Sequence, residues 1–317
     1  SLHDALPISA ARGDTDTLRI RPWNHRELTR CGHPSVTSAP MTIERVGILG
    51  SGIMGSGIAE VAAKAGIEVV LRSRAQATAD AMRDGLAKSL SKQVDRGKID
   101  QDAGTGILER VTATDHLGDL VDCDLVIESV VEDLAVKLPL FAELDSICKP
   151  GAILATNTST LAVIEMAMAT GRPEQVCGIH FFNPAPMMSL VEVIAPLTAS
   201  EATIAEATAF AEVCGKSPVQ VKDRAGFIVN ALLFPYLNNS ARMLEAGTAS
   251  AEDIDEAMKG GCNFPMGPLA LLDLVGLDTS VSILDALYEE FKDPNYAAVP
   301  SLRRMVSAGR LGRKSGA

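Results

Sequence analysis

The sequence predicts an α/β fold in which a doubly wound parallel sheet is followed by a second, smaller all-helical domain. Three observations support this prediction. Short apolar runs alternate with helical segments between residues 46 and 182, a glycine-rich turn directly follows the first run, and only helical periodicity is found from Gly226 onward. Because ligands bind at the carboxyl ends of such strands, function is expected in the loops that follow them.

The composition predicts a soluble globular protein with two domains. The 317 residues are 47% hydrophobic and carry a net charge of −11. This charge argues against nucleic acid or an anionic membrane as the main partner, and no apolar run reaches the roughly 18 to 20 residues of a membrane span. Six separated cysteines without a CxxC pair are typical of core residues in a reducing cytosol, so we expect a cytoplasmic protein without a zinc site.

Residues 1–40 differ from the rest of the chain. They have neither helical nor alternating periodicity, and they lack the apolar region of a secretory signal. We interpret them as a non-native leader, because SLHDALPIS is similar to translated adapter sequence. Of the five histidines, only His116 and His180 then remain as candidates for function.

A dinucleotide-binding motif follows the first predicted strand. Apolar runs over 46–49 and 67–71 flank a predicted helix, and Gly50, Gly52 and Gly55 form GxGxxG at its start. These glycines permit a tight turn, a close approach of the backbone to a pyrophosphate, and close packing of the helix on the strand. We expect a Rossmann-type domain over residues 41–225; the alternative is a close-packed turn without a ligand. The predicted cofactor contacts at this turn are Gly50, Gly52, Ile53, Met54 and Gly55.

The end of the second strand indicates which dinucleotide is bound. An acidic side chain about 20 residues after the first glycine normally binds the ribose of NAD, whereas this chain has Arg72, Ser73 and Arg74 there. Without a carboxylate to repel it, a 2′-phosphate could bind one or both arginines and the serine hydroxyl. The residues favour NADP(H) over NAD(H), unless both arginines are solvated surface residues.

The remaining segments complete the predicted architecture. Residues 75–111 are predicted to be helical, with a basic face that is either solvated or able to hold the phosphates of an acyl carrier. Further strands are predicted over 124–129, 152–157 and 176–182, with a helix around 136–147 between the first two. Helical segments then fill residues 226–317. The substrate is expected in the cleft between the two domains.

The run GIHFFNPAPMMSLVEVI, residues 178–194, holds a candidate base. His180 falls at a strand end facing the predicted cofactor cleft, and Glu192 lies on a run that should return beside it. A carboxylate on one ring nitrogen fixes the tautomer and leaves the other nitrogen free as a general base for alcohol oxidation. This chemistry requires no metal. The alternative is a packed histidine with both ring nitrogens satisfied.

Five ordered motifs resemble the signatures of the 3-hydroxyacyl-CoA dehydrogenases, with most similarity to the stand-alone 3-hydroxybutyryl-CoA members. They are GSGIMGSGIAEVAAKAG, ATNTSTL, GIHFFNPAPMMSLVEVI, DRAGFIVN and NFPMGPLALLDLVGLD. The resemblance implies interconversion of a (3S)-3-hydroxyacyl-CoA and a 3-oxoacyl-CoA with NAD(P), by a homodimer that associates through the helical domain. The sequence departs from the family pattern at Ser73, where members of the family have an acidic residue.

The resemblance also implies roles for individual residues. His180 corresponds to the catalytic base and Glu192 to its partner, while Ser159 and Asn230 correspond to the residues that bind the substrate's oxygens. The positions that correspond to nicotinamide contacts are Glu132, Lys137, Asn183 and Lys314. The positions that correspond to CoA contacts are Ser89 and Arg96.

Two other functions are compatible with a Rossmann domain joined to a helical one. Dehydrogenases of free 3-hydroxy acids have this organisation, but those similar to 6-phosphogluconate or 3-hydroxyisobutyrate dehydrogenases use a helical lysine as base, whereas this chain offers His180 and Glu192. A non-catalytic nucleotide-binding or structural protein would be expected to have lost the base, and His180 is present.

Overall fold

The N-terminal part of the described chain forms one eight-stranded sheet. The structure is a computed structural model that describes residues 43–316, so the predicted leader, residues 1–40, lies outside the described residues. The strands are β1 (Arg45–Leu49), β2 (Glu68–Arg72), β3 (Val111–Thr114), β4 (Leu125–Glu128), β5 (Ile153–Thr156), β6 (Val176–Phe181), β7 (Leu190–Ala195) and β8 (Ser217–Lys222). Their order across the sheet is β3-β2-β1-β4-β5-β6-β7-β8.

Helices cover both faces of this sheet. The helices of this part are α1 (Ile53–Lys64), α2 (Gln76–Asp95), α3 (Gln101–Glu109), α4 (Leu134–Ile147), α5 (Val163–Met168) and α6 (Glu201–Val213). Neighbouring β1 residues point to opposite faces: Ile48 packs with Ile58 of α1, and Leu49 belongs to the core that includes Phe141 of α4. Central strands buried on both faces must be apolar throughout, which explains the continuous apolar runs.

The structure corrects the predicted sheet in three places. Strands β7 and β8 run opposite to the first six, because a short connection returns the chain from β6 to β7 as an antiparallel pair. Strands β3 and β8 were not predicted, since VTAT and SPVQVK are short and partly polar. The predicted helical segment 75–111 is two helices, α2 and α3, separated by a turn at Gly97.

In the described C-terminal part, residues 226–316, five α-helices have a core of their own. They are α7 (Val229–Glu245), α8 (Ala251–Cys262), α9 (Pro268–Val275), α10 (Leu277–Phe291) and α11 (Pro300–Ser307). Phe234, Leu284 and Leu302 are among the buried side chains that hold them together. The predicted fold class, a Rossmann-type sheet with a smaller all-helical domain, is therefore confirmed. Within residues 43–316, no helix combines the length and the apolar character needed to cross a membrane.

Within residues 43–316, the cysteines lie in or beside the core with one clear exception. Cys123, Cys148 and Cys177 are buried free thiols, and Cys214 is half-buried. Cys262 is exposed at the end of α8, so its predicted core position is wrong: the helix has only one fully buried residue and turns its last residues to solvent. Cys31 lies outside the described residues.

Candidate active site

The antiparallel pair β6 and β7 places His180 directly opposite Glu192. Directly opposite residues on paired strands point to the same face, so the two side chains meet. The Nδ1 of His180 lies 2.8 Å from Oε2 of Glu192, and both side chains are buried. A carboxylate can only accept, so Nδ1–H is the donor. In the neutral ring, Nε2 then carries the free lone pair.

That second nitrogen faces Ser159. Ser159 follows β5, and its Oγ lies 3.0 Å from Nε2 of His180. Strands β5 and β6 are parallel neighbours, so their carboxyl ends and the polar residues after them lie at one edge of the sheet. Asn157 reinforces this edge, because its Oδ1 accepts a hydrogen bond from the backbone N–H of Phe181 at 2.8 Å. The imidazole is therefore held from both sides.

Aromatic rings enclose the imidazole on its flanks. The ring of Phe182 lies 4.5 Å from that of His180, and the ring of Phe227 lies 5.5 Å from it, measured between centroids. Phe227 has φ of 49°, a left-handed conformation that bulky side chains rarely adopt. His180 is 4% exposed, and its hydrogen bonds are stronger in these apolar surroundings than they would be in water.

The other oxygen of Glu192 binds the beginning of α7. Its Oε1 accepts hydrogen bonds from the backbone N–H groups of Ile228 and Val229, both at 3.0 Å. Ile228, the residue at the start of this helix, provides no side-chain cap of its own, so Glu192 satisfies two N–H groups that would otherwise lack partners. Asn230 lies in the first turn of α7 and is buried. Among the described residues no hydrogen bond joins its side chain to His180 or Ser159, but Glu192 fixes the turn that carries it.

An ionic cluster, buried at Lys137 and open to solvent at Glu132, supports the loop that carries Ser159. Oε1 of Glu132 accepts hydrogen bonds from Thr158 Oγ1 at 2.5 Å, Ser159 N at 2.8 Å and Thr160 N at 3.1 Å. Lys137 Nζ lies 3.1 Å from the other oxygen of Glu132. Burial raises the pKa of Glu132, but Lys137 and these hydrogen bonds outweigh it and hold that pKa below its ordinary value.

Lys137 is itself enclosed by carboxylates. Its side chain is 1% exposed, and Nζ lies 2.9 Å from both oxygens of Glu128. Thr156 Oγ1 adds a hydrogen bond of 2.8 Å to Glu128. Glu128 was not predicted as a site residue; its position as the last residue of the apolar strand β4 was the available signal. The role of Lys137 as a direct cofactor contact stays a prediction, and its burial indicates that it acts through Glu132.

The turn between β1 and α1 fits a bound pyrophosphate. Gly50 has φ of +129°, and a Cβ there would lie 2.1 Å from the carbonyl oxygen of Ser129; a Cβ on Gly55 would lie 2.3 Å from that of Gly50. A Cβ on Gly52 would meet nothing within 4 Å, so this side of the turn is open. Gly52 begins α1 without a side-chain cap or an acidic residue in the first turn. The free N–H groups suit an anion. Ile53 is exposed beside them, and Met54 is partly buried against the core.

The predicted 2′-phosphate site contains one buried, one half-buried and one exposed side chain. Ser73 follows β2 and is buried, and its backbone N–H donates to Thr114. Arg72 is half-buried and donates Nε to the carbonyl oxygen of Asp115 at 3.3 Å. Arg74 is exposed. No carboxylate side chain is found among these three positions.

The other predicted site residues lie in three places. Asn183 is exposed in the loop that follows β6. Ser89 and Arg96 lie two turns apart on α2, where Ser89 lines a cavity and Arg96 is exposed at the helix end. Lys314 forms an ion pair with Asp278 of α10, and no contact among the described residues joins it to Glu132 or Lys137. The structure thus groups His180, Glu192, Ser159 and Glu132, but not Lys314, whose role stays a prediction.

A glycine turn for a dinucleotide and a buried His–Glu pair at the same sheet edge define an oxidoreductase that uses a nicotinamide dinucleotide. The chain belongs to the 3-hydroxyacyl-CoA dehydrogenase family. The family description "3-hydroxyacyl-CoA dehydrogenase, NAD binding domain" matches residues 45–224, and the description "3-hydroxyacyl-CoA dehydrogenase, C-terminal domain" matches residues 226–317. The predicted family and enzyme class are confirmed.

Individual relatives agree with this assignment. A 3-hydroxybutyryl-CoA dehydrogenase of Mycobacterium tuberculosis is 51% identical over 86% of this chain and 96% of its own length. The crystal structure of M. tuberculosis FadB2 is similar with a TM-score of 0.85 and 50% identity, covering 87% of this chain and 98% of that chain. The (S)-3-hydroxybutyryl-CoA dehydrogenase PaaH1 from Ralstonia eutropha has a TM-score of 0.85 and 40% identity, covering 87% and 97%.

Proposed function

We propose that this enzyme interconverts (3S)-3-hydroxybutyryl-CoA and acetoacetyl-CoA. The observation that carries the proposal is the placement of His180, with Nδ1 held by Glu192 and Nε2 directed at Ser159. The substrate class comes from the relatives, whose names specify 3-hydroxybutyryl-CoA in both M. tuberculosis and R. eutropha. We infer by analogy with these relatives that the enzyme accepts a four-carbon acyl group.

His180 is the group that moves the proton. In the oxidation direction its Nε2 takes the proton of the substrate hydroxyl, and Glu192 stabilises the resulting imidazolium through Nδ1–H. In reduction the imidazolium returns the proton to the carbonyl oxygen. The nicotinamide, when bound, supplies the hydride acceptor in one direction and the hydride donor in the other.

Ser159 and Asn230 orient the substrate's oxygens. Ser159 Oγ is already within hydrogen-bond distance of Nε2, so an oxygen near both atoms would lie in line for proton transfer. Asn230 is fixed in the first turn of α7, which Glu192 caps. Substrate binding therefore depends on residues from both the sheet and the helical part, consistent with a site between domains 41–225 and 226–317.

The cofactor is proposed to be NADP(H) in preference to NAD(H). Arg72 and Arg74 flank Ser73 where the acid that selects NAD would stand. Glu132 and Asn183 are proposed to contact the nicotinamide end, and Lys314 to approach it from the helical part. Lys137 is proposed to support Glu132.

We also propose that the enzyme is a homodimer and that it is located in the cytoplasm. The helical part exposes large apolar side chains, including Leu232, Phe264 and Leu274, which supports association of two copies through this part. The five described cysteines are free thiols, which supports a cytoplasmic setting.

One assay tests the proposed reaction. Reduction of acetoacetyl-CoA is followed by absorbance at 340 nm with NADH and NADPH in parallel, and turnover with a higher kcat/KM for NADPH is expected. A clear preference for NADH would overturn the cofactor proposal alone. No turnover with either cofactor would overturn the proposed reaction.

A further inference from the structure

A buried carboxylate on α1 forms a closed polar network with α2. Glu60 is 6% exposed, and its Oε1 accepts hydrogen bonds from Lys64 Nζ at 2.5 Å and Gln93 Nε2 at 2.9 Å. Its Oε2 accepts from Ser89 Oγ at 3.2 Å. Lys64 Nζ also donates to Gln93 Oε1 at 2.8 Å. These partners offset the cost of burying the carboxylate.

The network ends at the wall of a cavity beside the glycine turn. The cavity has a volume of about 490 Å³, within the range of small-molecule sites. Glu60 and Ser89 line it, together with the turn at Gly52 and the segment Pro184–Pro186 that follows β6. A cavity that reaches from the cofactor turn towards α2 is large enough for part of an acyl thioester.

The network determines which kind of hydrogen bond Ser89 can make to a ligand. A hydroxyl has one proton, and Ser89 gives it to the carboxylate of Glu60. Gln93 Nε2, 3.3 Å from Ser89 Oγ, donates to one of its lone pairs. Towards the cavity, Ser89 Oγ can therefore only accept a hydrogen bond. A phosphate oxygen can also only accept hydrogen bonds, so it would find no donor in the Ser89 hydroxyl. It would also be repelled by the carboxylate of Glu60 behind that hydroxyl.

We propose that Glu60 is a positioning residue that fixes Ser89 as a hydrogen-bond acceptor for an amide N–H of the substrate's thioester arm. This inference rests on the proposed function, since the pantetheine arm of CoA carries two amide groups between the thioester and the phosphates. Gln93 and Lys64 hold Glu60 in place. Glu60 therefore affects recognition of the arm and leaves proton transfer at His180 unchanged.

The test compares two substrates in the intact enzyme. Glu60→Gln should raise KM for acetoacetyl-CoA about 5- to 10-fold, the effect of weakening one hydrogen bond, with kcat retained. For S-ethyl acetothioacetate, which has the thioester but no amide, kcat/KM should stay the same. Ser89→Ala should show the same selective loss, and the double variant should lose no more than either single variant. Glu109→Gln, the same charge change at an exposed position on α3, is the matched control.

The outcomes separate this inference from the proposed reaction. Equal losses on both substrates, a loss confined to kcat, or an unchanged KM for acetoacetyl-CoA would overturn the role of Glu60. If Glu60→Gln fails to fold, Ser89→Ala and Gln93→Met decide in the same assay. Binding of free CoA, which needs no turnover, is measured by calorimetry on each variant. If the wild type is inactive towards acetoacetyl-CoA but binds CoA in a Glu60-dependent way, only the reaction is rejected. If it is inactive and also fails to bind CoA, both are rejected.

Discussion

Oε1 of Glu192 lies 3.0 Å from the backbone nitrogen of Ile228, while the other oxygen of the same carboxylate binds His180. One side chain thus orients the proposed base and caps the first helix of the helical part. This arrangement couples the geometry of the site to the stability of the junction between the two parts.

Replacing Glu192 should therefore impair both catalysis and stability. In Glu192→Gln one oxygen becomes an NH₂ group, which cannot accept from His180 or from the backbone N–H groups of Ile228 and Val229. We expect kcat to fall about 10²-fold or more and the free energy of unfolding to fall by about 1–3 kcal/mol. Steady-state kinetics and denaturant unfolding measure the two effects. Normal stability in the variant would show that the cap is dispensable.

Replacing the base should affect catalysis alone. His180→Gln or His180→Ala removes the proton acceptor, so kcat should fall by about 10²- to 10⁴-fold. Cofactor affinity, measured by fluorescence titration with NADPH, should remain near that of the wild type, because the glycine turn is separate from His180. Full turnover in either variant would show that another group is the base.

These two variants concern the part of the site that the sequence predicted best. To predict the contact between His180 and Glu192, it was enough to recognise two strands joined by a short reversal of the chain. The register of the pair places the two residues opposite each other. The helix cap was not predicted, because it joins Glu192 to backbone groups 36 and 37 residues later. The network of Glu60 was missed for a similar reason: its partner Ser89 lies 29 residues away on another helix. Local patterns predict strands and turns, whereas such contacts depend on packing between elements.

The pH dependence of stability should reveal the role of Glu132. Burial raises its pKa, but Lys137 and the hydrogen bonds of the Ser159 loop lower it overall below the ordinary value of 4.5. A folded-state pKa below the unfolded one adds stability that is present above about pH 4.5 and is lost as the pH falls through the folded value. Glu132→Gln should thus be less stable than wild type at pH 7, and the difference should shrink below pH 4.5. Denaturant unfolding at several pH values measures it; a difference independent of pH would contradict this assignment, and Glu109→Gln serves as control.

Among the described cysteines, Cys262 should be the one that reacts rapidly in the folded enzyme. Burial raises the pKa of Cys177 to about 12 and that of Cys148 to about 11, so neither forms the reactive thiolate near neutral pH. Cys262 is exposed at the end of α8. Titration with an aromatic disulfide at pH 7.5, roughly one unit below the ordinary thiol value, should show one fewer fast thiol in Cys262→Ser than in wild type. Equal fast counts would show that Cys262 is covered in solution, as in an assembly through the helical part.

Substitutions of Gly85, inside α2, should change both the stability of the protein and the binding of substrate in the cavity. Gly85 lines the cavity, and a Cβ there would meet nothing within 4 Å. Because glycine in a helix interior costs about 0.5–1 kcal/mol relative to alanine, Gly85→Ala should stabilise the protein by about that amount. Gly85→Leu should retain the fold but extend a side chain into the cavity, raising KM for acetoacetyl-CoA at least about 10-fold, the equivalent of about 1.4 kcal/mol. Thermal unfolding and steady-state kinetics of both variants test this. An unchanged KM in a folded Gly85→Leu enzyme would mean that the thioester arm does not enter the cavity. It would also contradict the proposal that Ser89 accepts a hydrogen bond from that arm.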